Sequence, residues 1–389
     1  MRVLVVGDGA REHALCWKLI ESPLVDELFC APGNVGTATL AENVPISMNA
    51  PNTITTFCEE NDIDFIVVGS IQTLRGGVID MLTRNGFPSC GPEMGPSRLE
   101  TSKVFQKEFC QRHNLPIPRF AKFNAPDAAK QYVAETGLPI VVKSDHPVDG
   151  VKVVICRTKE EAEVAINARL IGQGDAEIIV EDFFQGEAFS YVAITDGEAV
   201  LPLTSVTESW DEAGAAPIPG CLCPAPSVTA EVESFIVEQV LRPTVAAMKL
   251  ERNAFRGLLN ARLILTSDGP KLVDFKVRSS DPEWQAIMLR MVQDLMPALI
   301  SSYDEMLYRF DPFRWNEASS AVLVMYAPDA ADADKIAAAC DLAEEADPDV
   351  VVFRARNLRE LSVTATGEDL ADLRKRLHAA ADRIAAALK

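Results

Sequence analysis

The 389-residue chain has no apolar run long enough to cross a bilayer, no regular cysteine pairing, no basic surplus and no internal repeat. Hydrophobic residues make up 48% and charged residues 24%, the balance of a soluble globular protein rather than a membrane one. The opening MRVLVVGDGA enters a strand at once and leaves no room for the charged head, apolar stretch and cleavage site of a signal peptide. A cytoplasmic location is therefore expected. Nine cysteines are scattered at 16, 30, 58, 90, 110, 156, 221, 223 and 340, and only Cys221 and Cys223 stand close together. That odd, irregular set fits neither a disulfide framework nor a zinc site, and free thiols within apolar runs are expected. The net charge of −20 argues against nucleic acid. A small phosphorylated ligand, which needs only local cations, stays open, as does a protein partner.

The length is too great for one ordinary core and implies two to four domains. Strand and helix alternate through the first hundred residues: RVLVVG, then AREHALCWKLIES, ELFCAPG, ITTFCEEN, IDFIVVGS and GGVIDMLTRNG. This alternation predicts an α/β domain over 1–97, with a Rossmann-like parallel sheet and ligands at the carboxyl ends of its strands. One helix is predicted from Pro96 to about Arg119, closed by the prolines of LPIPRF. A β-rich unit follows, with helices at DAAKQYVAETG and KEEAEVAINARL, then a long helix that Pro243 interrupts, the strand pair 257–278 and a helix over 281–307. The remaining residues, from about 313, read as a small α+β domain with three strands and a closing helix.

Two stretches carry chemistry. Gly7-Asp8-Gly9-Ala10-Arg11-Glu12 follows the first strand and opens a helix, the setting of a phosphate cradle. Glu12 stands where a dinucleotide fingerprint has its third glycine, so a monophosphate or a plain tight turn fits better than NAD. The second stretch, VDFKVRSSDPE from Val273 to Glu283, follows the Asp268-Gly269-Pro270 turn. Strand alternation puts Asp274, Lys276 and Arg278 on one face. One acid and two bases suit phosphate handling or an internal ion pair; an ammonium has no lone pair to offer Mg²⁺ and would repel it. The order of strand with Lys143, loop, strand, acidic hinge Glu181-Asp182, long strands and a distant carboxylate-bearing strand suggests an ATP-grasp arrangement.

The chain resembles the glycinamide ribonucleotide synthetase, or phosphoribosylamine-glycine ligase, family from Met1 to its last helix. The resemblance rests on VVGDGAREHALCWKL, APGNVGTA, CGPEMGPSRLETSKVFQKEF, PIVVK, IVEDFFQGE, DGEAVLP, GLLNARL, RSSDPEWQAIMLRM and VTATGEDLADLRKR. It implies an ATP-grasp domain over 98–312 with a lid at about 120–187, and a C-terminal α+β domain over 313–389. It also implies ATP and Mg²⁺ as cofactors, in a family that joins glycine to phosphoribosylamine through an acyl phosphate. Carried over residue by residue, Lys103, Lys143, Glu181 and Glu187 fall at nucleotide positions. Gly7, Gly9, Arg11, Glu12, Pro32, Gly33, Asn34 and Asp281 fall at substrate positions, Arg278 and Asp274 at catalytic ones.

Several segments depart from the family pattern. The glycine-rich lid loop Ala-Gly-Lys-Gly-Val reads His146-Pro147-Val148-Asp149-Gly150-Val151 here, and Ala188 replaces the glutamate expected to hold the ATP ribose. The Ser-Gln-Asp-His-Lys-Arg segment is Ser205 to Trp210, and the Gly-Pro-Asn-Thr-Gly-Gly-Met-Gly loop is Ala215 to Leu222. Ser70-Ile71-Gln72 replaces a Pro-Glu after the third strand. In the metal strand, Asp274 and Lys276 stand for the family's magnesium-binding Glu and Asn. The expectation is a divergent relative with lost or weakened Mg-ATP ligase activity, serving as a binding or partner-supporting protein. The alternatives are an ATP-grasp carboxylate-amine ligase retuned to other substrates, or an ordinary phosphoribosylamine-glycine ligase.

Overall fold

Alternating strands and helices fold as a parallel sheet because each helix covers the face that its flanking strands leave apolar. The computed structural model describes residues 1–209, 220–328, 331–356 and 360–389. In it β1 (Arg2–Gly7), β2 (Glu27–Pro32), β3 (Glu42–Asn43), β4 (Phe65–Val68) and β5 (Ser89–Cys90) stand in the order β3-β2-β1-β4-β5. β1 pairs in parallel with β2 and β4. Val3 and Val5 enter one core cluster while Leu4 and Val6 enter another, which is why the strand is apolar without interruption. The strand order reverses at β1, so the turn Gly7–Glu12 sits at the switch point where open α/β sheets bind ligands.

The segment expected as a lid has its own four-stranded antiparallel sheet of β6 (Phe120–Phe123), β7 (Ile140–Val148), β8 (Val151–Cys156) and β9 (Ile178–Asp182), ordered β6-β9-β7-β8. Helices Pro126–Thr136 and Lys159–Leu170 cover it, and Val133, Val142, Ile166 and Val180 form a separate small core. Beneath lies a second sheet. Its strands β10 (Glu187–Asp196), β11 (Val200–Thr207), β13 (Arg256–Thr266) and β14 (Gly269–Lys276) run in the order β11-β10-β13-β14. β12 (Gly220–Cys223) leaves this region to pair with β15 (Ser319–Tyr326). With β16 (Val350–Arg354) and β17 (Glu360–Gly367) it completes a C-terminal sheet ordered β12-β15-β17-β16. Among the described residues, no helix is long and apolar enough to cross a membrane.

Three expectations are corrected. The helix expected from Pro96 to about Arg119 is two helices, Met94–Thr101 and Lys103–Arg112. Ser102 breaks it with an extended backbone (φ −122°, ψ 113°), and its hydroxyl caps the second helix by accepting from the Phe105 N–H. Asp145 of the lid fixes the break, accepting from the Ser102 hydroxyl at 2.6 Å and from the Val104 N–H at 3.2 Å. The helical run 281–307 is likewise split into Glu283–Arg290 and Met296–Tyr303. Finally, β14 ends at Lys276, so Arg278 lies beyond the strand and does not share its face.

Candidate functional site

The turn after β1 is held by its own polar groups. The Gly9 N–H donates to Glu12 Oε2 at 2.7 Å, and Arg11 Nε donates to Glu12 Oε1 at 2.8 Å. Gly7 is required here: with φ +154°, a Cβ at that position would lie 2.4 Å from the Glu12 carboxyl carbon. Asn34, in the loop after Pro32, donates to the carbonyls of Asp8 and Gly9 at 3.1 Å each, and the Gly33 N–H donates to the Gly7 carbonyl. Arg11 also reaches across to Asp281 Oδ2 at 2.6 Å. The structure thus brings Gly7, Gly9, Arg11, Glu12, Gly33, Asn34 and Asp281 together. Glu12 is fully buried, and burial raises its pKa, against the pull of Arg11 beside it. An anion entering this turn would compete with Glu12 for the Gly9 amide.

The second assembly lies where the lid meets β14. Lys143 on β7 pairs with Glu181 on β9 at 2.6 Å and donates to the Val273 carbonyl of β14 at 2.7 Å. Lys107, on the helix Lys103–Arg112, pairs with the other oxygen of Glu181 at 2.6 Å. Burial opposes the charge on Glu181, yet the two lysines together hold its pKa below the usual carboxylate range. Burial, then Lys107 alongside, brings Lys143 down to about 8 against the opposing pull of Glu181 and Asp274. Lys103, one helical turn before Lys107, donates to Asp274 at 2.5 Å, and Gln106 donates to the same oxygen at 2.7 Å. The sheet register sets Asp274 beside Arg262 and Lys276 beside Asn260, so one polar face of β13 and β14 looks toward the lysines. Arg262 in turn pairs with Glu208 beyond β11.

Other expected site residues are placed differently. Arg278 pairs with Glu100 of the helix Met94–Thr101 at 3.0 Å, and the same Glu100 accepts from the Val277 N–H at 2.8 Å. It anchors the end of β14 to that helix. Glu187 is exposed at the start of β10. Lys107 and Gln106 were not singled out by sequence. A signal for Lys107 existed, since it stands four residues after Lys103 and shares its helical face. Residues 210 and 215–219 of the altered substrate segments lie outside the described residues.

Magnesium needs several oxygen ligands in near-octahedral array. The residues present do not fit it. Asp274 Oδ1 already accepts from Lys103, Gln106 and the Phe275 N–H. The next carboxylate along, Glu283, takes the Lys276 ammonium at 3.0 Å and the Ser190 hydroxyl at 3.3 Å.

Comparison with known proteins places this geometry. Residues 1–100 match the family model "Phosphoribosylglycinamide synthetase, N domain", and residues 101–284 match "Phosphoribosylglycinamide synthetase, ATP-grasp (A) domain". A curated phosphoribosylamine-glycine ligase of Mesorhizobium japonicum is 34% identical over 99% of this chain and 95% of its own. One from Escherichia coli O6:H1 is 36% identical, covering 97% of this chain and 94% of its own. The crystal structure of a phosphoribosylamine-glycine ligase from Thermotoga maritima superposes with a TM-score of 0.77 at 21% identity, over 98% of this chain and 97% of that one. An N5-carboxyaminoimidazole synthase from Aspergillus clavatus, solved with ADP, gives a TM-score of 0.70 at 14% identity, over 99% of this chain and 98% of that one.

Proposed function

Because the chain belongs to the phosphoribosylglycinamide synthetase family, we propose that it is an ATP-dependent carbon-nitrogen ligase of purine biosynthesis, joining glycine to the amine of phosphoribosylamine in the cytoplasm. The observation that carries this reading is likeness across nearly the whole chain to curated phosphoribosylamine-glycine ligases. The comparisons favour this ordinary-ligase reading over a binding protein without chemistry.

The residues supply parts of such a reaction. A glycine carboxylate oxygen attacks the γ-phosphorus of ATP and releases ADP, giving an acyl phosphate. The amine nitrogen then attacks the acyl carbon, loses a proton and expels inorganic phosphate. Lys143, Lys107 and Lys103 hold ammonium groups where the lid closes on β14, so they can grip and neutralise phosphate oxygens as charge moves between them. Arg11 and the Gly7–Glu12 turn, at the carboxyl end of β1, are suited to the phosphoribosyl group.

One observation favours a second reading, in which ligation is lost or weakened. Lys276 pairs with Glu283 on the face where the resemblance puts a metal ligand. A coupled assay of ADP release separates the two readings. Release that requires both phosphoribosylamine and glycine supports the ligase; no release with either, by folded protein, supports the weakened form.

A further inference from the structure

Lys276 sits two residues beyond Asp274 on β14, on the same face, and its ammonium meets the buried Glu283 at 3.0 Å. Lys103, Lys107 and Lys143 converge from the helix Lys103–Arg112 and from β7. Four ammonium groups here face three carboxylates, Asp274, Glu181 and Glu283, while a fourth, Asp145, is bound to the backbone at Lys103. The lysines are not spent. Each ammonium carries three donors, and the described partners of Lys103 and Lys276 are one carboxylate each. The side chain of Lys276 is also the most open of the four, 24% exposed against 1–6% for the others.

We propose that this cleft binds the phosphates of a nucleotide without a divalent cation, with Lys276 as the fixed positive charge in the place a metal would take. The inference rests on the nucleotide-binding part of the reading above, and not on its ligation step. A polyphosphate oxygen can replace Glu283 or Asp274 as acceptor without bringing a new cation. A magnesium ion entering with the nucleotide would have to displace Lys103 from Asp274 or stand beside the Lys276 ammonium. Either costs electrostatic energy in a partly buried site, where charges interact more strongly than in water. The neighbouring Arg262 is paired with Glu208, so it stays off Asp274 and the pair adds no net charge to the face.

The test is calorimetric titration of the full chain with ATP, once in excess Mg²⁺ and once in EDTA. The expected result is binding in EDTA that excess Mg²⁺ weakens, because the ion complexes free ATP and meets the Lys276 and Lys103 ammonium groups at the site. Lys276→Asn and Lys276→Met should each weaken binding in EDTA by about tenfold or more, the loss of one charge-assisted hydrogen bond. Lys276→Asn alone should then gain a dependence on Mg²⁺. Titration with Mn²⁺ followed by electron paramagnetic resonance should find no bound ion on the native chain with ATP and bound ion on Lys276→Asn. Tightening of native binding by tenfold or more with magnesium overturns the proposal, as does the absence of ATP binding in EDTA. The native comparison stands even if a variant fails to fold. Tight EDTA binding without ligation keeps the proposal while the ligase reading fails, and magnesium-dependent binding with ligation does the reverse.

Discussion

Replacing Glu181 by Gln isolates the charge cluster under the lid. Glu181 is 2% exposed and bridges Lys107 and Lys143, themselves 1% and 4% exposed, at 2.6 Å each. The amide keeps the shape and removes the only carboxylate between two buried ammonium groups. Removing one partner of a buried ion pair costs roughly 3–5 kcal/mol, because the remaining charge is left uncompensated. With this little exposure, solvent screening returns little of it. Part of the cost should appear as a lower pKa for Lys143, already brought down to about 8 by burial and Lys107. Thermal and urea unfolding of the native chain and Glu181→Gln should show a loss of several kcal/mol in the cooperative unit that contains the lid. Adding Lys107→Met to Glu181→Gln removes the second ammonium and should recover much of the loss. If Glu181→Gln unfolds within about 0.5 kcal/mol of native, the range of an inert surface change, the buried cluster does not hold the lid as described.

Other outcomes follow from the same contacts. His13 is buried against the C-terminal domain, where its Nδ1 accepts from the Arg354 N–H at 3.0 Å, and burial, then Arg354, lowers its pKa to about 3 from an ordinary 6.5. Its neutral form is favoured in the fold, so its contribution is present above pH 6.5 and is lost as pH falls from 6.5 toward 3. His13→Asn should flatten that part of the acid unfolding curve. Because Lys143 loses its proton near pH 8, ATP affinity measured by titration should fall as pH rises through that value. Arg11→Met leaves the buried Glu12 and the partly exposed Asp281 without their cation and should cost about 3 kcal/mol by chemical unfolding. Asp145→Ala removes the acceptor that joins the lid to the Ser102 break, and should speed proteolysis near residues 101–103.

Much of the fold was legible because its signals are local. The run RVLVVG and the turn after it fixed β1 and the helix Ala10–Leu19, and the alternation that follows fixed a parallel sheet. Helix Lys159–Leu170 matched its expected bounds, with Thr158 and Glu161 closing a capping box at its start. What stayed hidden depended on partners distant in sequence. The break at Ser102 is held by Asp145 and is invisible to helical periodicity alone. β12 reads as part of a loop because its pairing partner, β15, lies about a hundred residues on. The helix Ala333–Ala346 is alanine-rich, and its pattern resembles ordinary surface packing until β16 and the closing helix bury Ile336, Ala339 and Ala343.

The candidate site was legible in part for the same reason. Lys103, Lys143, Glu181 and Asp274 come from four separate segments, and resemblance named all of them, but only tertiary structure shows Lys107 and Gln106 sharing their carboxylates. Resemblance placed Arg278 among catalytic residues and the strand pattern put it on one face with Asp274, and neither foresees that β14 ends at Lys276 with Glu100 beside it.

Ligation through an acyl phosphate is tested most directly with glycine labelled by ¹⁸O in its carboxylate. The protein is incubated with ATP and phosphoribosylamine, and the released inorganic phosphate is read by mass spectrometry. The expected result is one labelled oxygen per phosphate formed, together with the glycinamide product. ADP release with unlabelled phosphate, or no phosphate from folded protein, would contradict it.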